Sequence, residues 1–202
     1  MSMYHDGNRE LQDLFGTRPL ADRMEDAIVT DSLSEGDQAF IEARDMFFLA
    51  TADESGRPNV GYRGGDPGFV RVLDERTLAF PSYNGNGMYV NMGNLRQNAQ
   101  ISMLFIDWER RTRRRVSGVA TIETDDPLMS EFPECQFVVR VNVTEAFSNC
   151  PRYVHRMQRV ERSPFVPQAD CVTPVPEWKK GDWVADVLPD NDPARDPSRP
   201  VA

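Results

Sequence analysis

The residues with the most evident chemistry lie in a glycine-rich turn, Ser82-Tyr83-Asn84-Gly85-Asn86-Gly87. The turn follows a strand-like run and precedes apolar residues at helical spacing. Glycine lets the backbone approach a ligand closely, and the first N–H groups of a helix are unpaired and attract anions. The turn can therefore bind a phosphate, with Ser82 and Asn86 adding hydrogen bonds. An ordinary Asn-Gly loop without a ligand is the alternative.

Arg63 is a second candidate for anion binding, because it ends a predicted strand and precedes two glycines. An arginine can hold two phosphate oxygens in a bidentate fork. The alternative is a surface salt bridge to Asp66 or Asp74. Five further arginines lie within residues 110–115. They predict either a solvated hairpin flank or an anion pocket.

Other site chemistries have little support in the sequence. The two histidines, His5 and His155, have no partners at the spacing of a catalytic triad or a metal site. Three irregularly spaced cysteines form neither a disulfide framework nor a zinc pattern. An organic cofactor held by backbone, arginine and small polar groups fits these residues better than a metal does.

The elements that must position these residues are mostly strands. Short runs of strand-forming residues, bounded by Asp, Gly and Pro, cover 47–52, 57–63, 69–73, 77–81, 100–106, 113–123 and 136–143. Helical patterns cover 9–15, 20–28, 34–44, 88–99 and 151–162, and Ser34 is a natural N-cap. Seven closely spaced strands favour a mainly β fold, an antiparallel β-barrel with peripheral helices.

Length and composition indicate one domain with two extensions. The 202 residues suffice for one sizeable core. We predict an N-terminal arm over 1–33, the barrel domain over 34–185, and a disordered Pro- and Asp-rich tail over 186–202. The net charge of −9 disfavours nucleic-acid binding. No apolar run approaches the roughly 20 residues of a membrane helix. The N-terminus lacks a secretory pattern, so we expect a cytoplasmic protein.

Several segments together resemble the pyridoxamine 5′-phosphate oxidase-like proteins, the FMN-binding split-barrel family. The resemblance covers roughly residues 38 to 165. It is carried by FFLATADESGRPNV, Arg63 before Gly64-Gly65, GFVRVLDERTLAF, SYNGNGMYVNMGNLRQNAQISMLFID and NCPRYVHRM. It implies a homodimer of split β-barrels, with FMN bound at the interface between the two copies and a small-molecule substrate.

The resemblance also implies positions for the cofactor contacts. Arg63 and Gly64 would lie on the phosphate-binding strand, and Pro81 and Ser82 would end a strand beside the flavin. The turn near the phosphate and the strand after the Arg-rich hairpin would supply the remaining contacts, which are Asn86, Gly87, Met88 and Arg113. Arg152 and Tyr153 would approach from the far wall.

The chain departs from the vitamin-forming oxidases at two places. Gly87-Met88 replaces their Arg-Lys pair, and their C-terminal tryptophan and Arg-x-x-Pro signature has no counterpart here. Pyridoxamine phosphate is therefore not the expected substrate. The resemblance implies an FMN-dependent oxidoreductase acting on another small molecule. A non-catalytic flavin-binding or sensor protein, or a barrel that binds haem or a deazaflavin, is the alternative.

Overall fold

A computed structural model describes residues 2–202, and its main feature is one antiparallel sheet of seven strands. The strand order is β2-β1-β5-β6-β7-β4-β3. The strands are β1 Met46–Ala52, β2 Pro58–Gly64, β3 Arg71–Asp74, β4 Thr77–Tyr83, β5 Gln100–Asp107, β6 Thr112–Glu123 and β7 Cys135–Ser148. The helices are α1 Asp6–Leu14, α2 Arg18–Ile28, α3 Glu35–Glu42, α4 Val90–Gln97 and α5 Asp182–Ala185. Short 3₁₀ turns cover Pro127–Glu131, Glu177–Lys180 and Pro193–Arg195.

The sheet curls into a barrel. Three strands separate β1 from β4, so a flat sheet would place these strands roughly 19 Å apart. The rings of Phe47 in β1 and Phe80 in β4 nevertheless lie 5.1 Å apart, edge to face. Strands β2 and β3 are the two edges of the sheet, so the barrel is split between them. The predicted mainly β barrel with peripheral helices is confirmed.

The alternating pattern of β7 explains how the barrel is filled. Val139, Val141 and Val143 point into the main core, as the alternation predicts. Val138 points the other way but is also buried, because Phe132, after the Pro127–Glu131 turn, covers that face of the sheet. A fully buried strand is therefore apolar on both faces over part of its length.

The N-terminal helices agree with the sequence patterns. Helices α1 and α2 lie close to the two predicted short helices of the arm. Helix α3 begins after Ser34, whose hydroxyl accepts the Asp37 backbone N–H at 3.2 Å. Among residues 2–202, no helix combines the length and apolar character needed to span a bilayer.

The helix predicted over residues 151–162 is wrong. The segment is irregular, and its arginines reach back to carboxylates of the barrel. Arg159 pairs with Asp45 at 2.7 Å, and both ends of the Arg162 guanidinium bond Asp66, at 2.7 and 2.8 Å. These long-range ion pairs favour an irregular backbone over a helix in this segment. The spacing of apolar residues in the sequence gives no information about them.

The tail over residues 186–202 also differs from the expected disorder. Asp192 and Ala194 are buried, and Val201 forms a parallel bridge with Val175. The prediction of disorder rested on low apolar content. Apolar content gives no information about the polar contacts that hold the tail in place, of which the main one is the Lys179–Asp192 ion pair at 2.7 Å.

Candidate functional site

A cavity of about 540 Å³ opens where β2 and β4 end. One wall consists of these strand ends, the Ser82–Gly87 turn and the start of α4, and the C-terminal segment from 165 to 199 forms the opposite wall. Five of the eight predicted cofactor contacts line it: Arg63, Ser82, Asn86, Gly87 and Met88. The fold thus brings together residues that are up to 25 positions apart in the sequence.

The turn is shaped by a bulge and a left-handed glycine. The register between β4 and β7 shifts between Ser82 and Tyr83, and a bulge of this kind redirects the chain at a strand end. Gly87 has φ +74°, a conformation that favours glycine. The side chain of Asn86 accepts the Met88 backbone N–H at 3.0 Å. This bond fixes the turn immediately before the helix.

The start of α4 is held against the barrel by a small polar cluster. Asn91 and Asn94 both donate side-chain hydrogen bonds to the Thr51 hydroxyl, each at 3.1 Å. Gly61 leaves room for this arrangement, because a Cβ there would collide with the Asn91 side chain. Residues 89–92 line the cavity, so the positive end of the helix dipole lies at its wall.

Arg63 brings a cationic group to the same cavity without an internal partner. Its Nε is buried and makes no hydrogen bond to any described residue. Burial lowers the pKa of the guanidinium, and no carboxylate in residues 2–202 offsets that effect. The alternative, a salt bridge from Arg63 to Asp66 or Asp74, is not formed. Asp66 pairs with Arg162, and Asp74 accepts the Arg76 backbone N–H. The site therefore presents an uncompensated positive charge that suits an anion.

The structure does not bring three of the predicted contacts to the cavity. Gly64 lies in β2 opposite Met46, and Pro81 is buried in β4. Arg113 lies in β6, where its Nη2 donates to the Cys150 carbonyl at 2.8 Å. Arg152 and Tyr153 are exposed and also lie outside the cavity.

None of the residues of the opposite wall was predicted from the sequence as a site residue. Lys179 is buried there, and its ammonium bonds Asp192 at 2.7 Å and the Asn84 side chain at 2.6 Å. Arg199 pairs with both oxygens of Glu134 at 3.0 Å. The run EWKKGDW, which mixes aromatic and charged residues, was the one available signal in the sequence.

The cavity holds two tyrosines with an altered acidity, Tyr62 and Tyr83, and burial raises the pKa of each. Burial, together with nearby Cys135 and Asp66, raises the pKa of Tyr83 to about 12. Its hydroxyl therefore stays protonated at neutral pH and can donate a hydrogen bond but cannot act as a base. Neither histidine lines the cavity, and the described residues contain no cluster of three metal-ligating side chains.

The class of protein follows from the split barrel together with the match to a family sequence model. The sequence model of the pyridoxamine 5′-phosphate oxidase family matches residues 33–146, which is more than half of the chain. The chain belongs to that family. No curated protein matches the sequence.

Three similar solved structures have TM-scores below 0.5, so the family assignment rests on the sequence match. A putative pyridoxamine 5′-phosphate oxidase from Lactobacillus delbrueckii is 26% identical, with a TM-score of 0.48 over 58% of this chain and 95% of its own. HupZ of Group A Streptococcus is 19% identical, with a TM-score of 0.47, and the match covers 62% of this chain and 99% of HupZ. An FMN-binding protein from Syntrophomonas wolfei is 10% identical, with a TM-score of 0.46, and the match covers 70% of this chain and 97% of that protein.

Proposed function

We propose that this chain binds FMN in the cavity and is an FMN-dependent oxidoreductase that acts on a small molecule. The observation that carries the proposal is the Arg63 guanidinium, whose buried Nε has no partner among the described residues. Arg63 as a whole is half-buried, and a cation that is partly withdrawn from water is costly unless a ligand supplies the missing anion. The dianionic phosphate of FMN would do so.

The neighbouring groups suit the same phosphate. Ser82 offers a hydroxyl, the turn at Asn86 and Gly87 offers backbone N–H groups, and the start of α4 adds its dipole. Arg63, on β2, is the cation that remains where Gly87-Met88 stands in place of the Arg-Lys pair of the vitamin-forming oxidases. The phosphate grip therefore depends on one arginine rather than on three cations.

The bound flavin would supply hydride or electron transfer, and the protein would orient it and exclude water. Tyr62, Tyr83 and Trp178 give the cavity aromatic surface against which a planar ring system can pack. The protonated Tyr83 hydroxyl would serve as a hydrogen-bond donor to the ring or to the substrate.

We also propose that the cofactor lies between two copies of the chain. Val60 and Tyr62 on the edge strand β2, and Met88 beside the cavity, are 64–70% exposed although they are apolar or aromatic. Contiguous exposed apolar residues beside a ligand cavity favour a protein interface. Sedimentation of the purified protein would give a dimer mass if this is correct, and a monomer mass would contradict it.

A non-catalytic flavin-binding role is the second candidate. It is favoured by the absence of a histidine among the described cavity residues, and by burial, which raises the pKa of Tyr62 and of Tyr83. Turnover separates the two candidates. NADH or NADPH should reduce the bound flavin of an oxidoreductase, whereas a binding protein would retain an oxidised flavin spectrum.

The first experiment is an absorbance spectrum of the purified protein, followed by titration of the apoprotein with FMN. We expect a flavin spectrum, and a loss of FMN affinity in Arg63→Ala of about tenfold or more, the worth of a hydrogen bond to a charged group. Arg57→Ala is the matched control, because Arg57 precedes the same strand but its side chain is 84% exposed. A Soret band, or equal affinities in the two variants, would overturn the proposal.

A further inference from the structure

The charges that line the cavity are almost all neutralised within the protein. Among the described residues four charged side chains line it: Arg63, Glu134, Lys179 and Arg199. Lys179 is buried against Asp192 at 2.7 Å, and both side chains are at most 5% exposed. Arg199 is bound by Glu134 at 3.0 Å, and its Nη1 also donates to the Thr173 carbonyl at 3.1 Å. Arg63 alone is left without a counter-charge.

This arrangement leaves no free charge for a second ionic ligand. Once a flavin phosphate occupies Arg63, an anionic substrate would have to displace Glu134 or Asp192 from its partner. Separating the buried Lys179–Asp192 pair is costly, because it leaves one charge uncompensated. The Arg199 guanidinium is partly exposed, but both oxygens of Glu134 and the Thr173 carbonyl already occupy its donors. A cationic substrate would likewise find both carboxylates engaged.

Apart from Thr173, the uncharged residues of the opposite wall are apolar or aromatic. Phe165, Pro167, Pro174 and Trp178 line the cavity from the C-terminal segment. Prolines present apolar rings on a stiff backbone, and the indole of Trp178 offers a broad face for stacking. Such a wall stabilises a ligand by burying apolar area rather than by ionic contacts.

From these contacts we infer that the substrate is an uncharged aromatic molecule, held between the flavin and the wall formed by Phe165 and Trp178. The inference rests on the proposed FMN function and adds to it the class of substrate. It separates this chain from enzymes of the family that take a phosphorylated substrate, because the second phosphate would have no free cation.

The test compares two probes that differ by one anionic substituent, 2-naphthol and 2-naphthol-6-sulfonate. Calorimetric titration measures the affinity of each probe for the protein with and without FMN. In the FMN-loaded protein the neutral probe should bind about tenfold tighter or more, because the sulfonate finds no free cation. Without FMN the sulfonate should gain affinity, because Arg63 is then free.

Two variants examine the cause of that preference. Glu134→Gln frees Arg199, so the affinity of the FMN-loaded protein for the sulfonate should rise by about tenfold. Glu131→Gln is the matched control, since Glu131 is exposed and lies outside the cavity. Trp178→Ala should weaken the binding of the neutral probe. Phe15→Ala, which removes an exposed aromatic ring of the arm, should leave that binding unchanged.

The outcomes separate this inference from the function on which it rests. If FMN does not bind, the proposed function and the substrate class are both overturned. If FMN binds but the loaded protein takes the two probes equally well, or prefers the sulfonate, only the substrate class is overturned. An unchanged sulfonate affinity in Glu134→Gln would also contradict it, because the charge pairing would then not set the preference.

Discussion

Two groups that face the same cavity, the Arg63 guanidinium and the Tyr83 hydroxyl, show what burial does to single residues. Burial lowers the pKa of the arginine and raises that of the tyrosine, so in each case the charged form is disfavoured. Tyr83 responds by staying neutral. Arginine keeps its charge at any physiological pH, so Arg63 requires an anion instead.

Tyr83 gives a prediction at this scale. The unfolded tyrosine ionises near pH 10, whereas burial raises the pKa of Tyr83 to about 12 in the folded protein. Below about pH 10 its contribution to stability is fully present, and it is lost as the pH rises toward 12, because the unfolded state releases the proton first.

Rapid-mixing absorbance titration of the folded protein should therefore contain a late phenolate step that is missing in Tyr83→Phe. If the variant retains that step, the environment assigned to Tyr83 is wrong.

At the scale of elements, local patterns predicted what local interactions determine. Alternation in β7 and the Ser34 cap of α3 were sufficient to locate both elements, because each signal lies within a few residues. The helix expected over 151–162 failed, because Arg159 and Arg162 bond carboxylates about 100 positions away. Sequence spacing carries no information about such contacts.

The C-terminal segment gives the prediction for this scale. Lys179 is 4% exposed, and its ammonium bonds Asp192 within the segment and Asn84 in the Ser82–Gly87 turn. It therefore joins the C-terminal segment to the turn. Lys179→Met leaves the buried Asp192 carboxylate uncompensated, so we expect a loss of about 3–5 kcal/mol in unfolding free energy.

The matched control for that substitution is the next residue. Lys180 is exposed and donates to the Ala194 carbonyl, so Lys180→Met should cost only about 1 kcal/mol. Urea unfolding of the two variants measures both values. Equal losses would show that the buried pair does not hold the segment in place.

At the scale of the whole molecule, the number of predicted strands was sufficient to predict the barrel. One wall of the candidate site could also be predicted from the sequence. Arg63 and the turn follow from residue types next to strand ends. The residues of the opposite wall could not be predicted in this way, because their contacts are long-range. Asn84 bonds Lys179, which is 95 positions away, and Asp192, which is 108 positions away. A segment judged by composition to be disordered therefore completes the cavity.

The stability of the whole molecule should fall in acid. Hydrogen bonds from Arg140 lower the pKa of Asp126, whose side chain is 2% exposed, and those from Arg162 lower that of Asp66. A carboxylate with a lowered pKa stabilises the fold above its unfolded pKa of about 4, and this contribution is lost as the pH falls through the folded pKa.

Asp126→Asn should accordingly reduce the unfolding free energy by about 2 kcal/mol at neutral pH, and by less near pH 3, where the wild type has also lost part of the interaction. Chemical unfolding at the two pH values measures the difference. A loss that does not depend on pH would contradict this role of the ion pair.

The central claim, that the cavity holds the FMN phosphate on Arg63, is tested most directly by comparing the affinities of FMN and riboflavin for the wild type and for Arg63→Ala. The two ligands differ only in the phosphate. We predict that FMN binds the wild type about tenfold tighter than riboflavin or more, and that this ratio falls by about tenfold in Arg63→Ala. A preference for FMN that survives the substitution unchanged would contradict the claim.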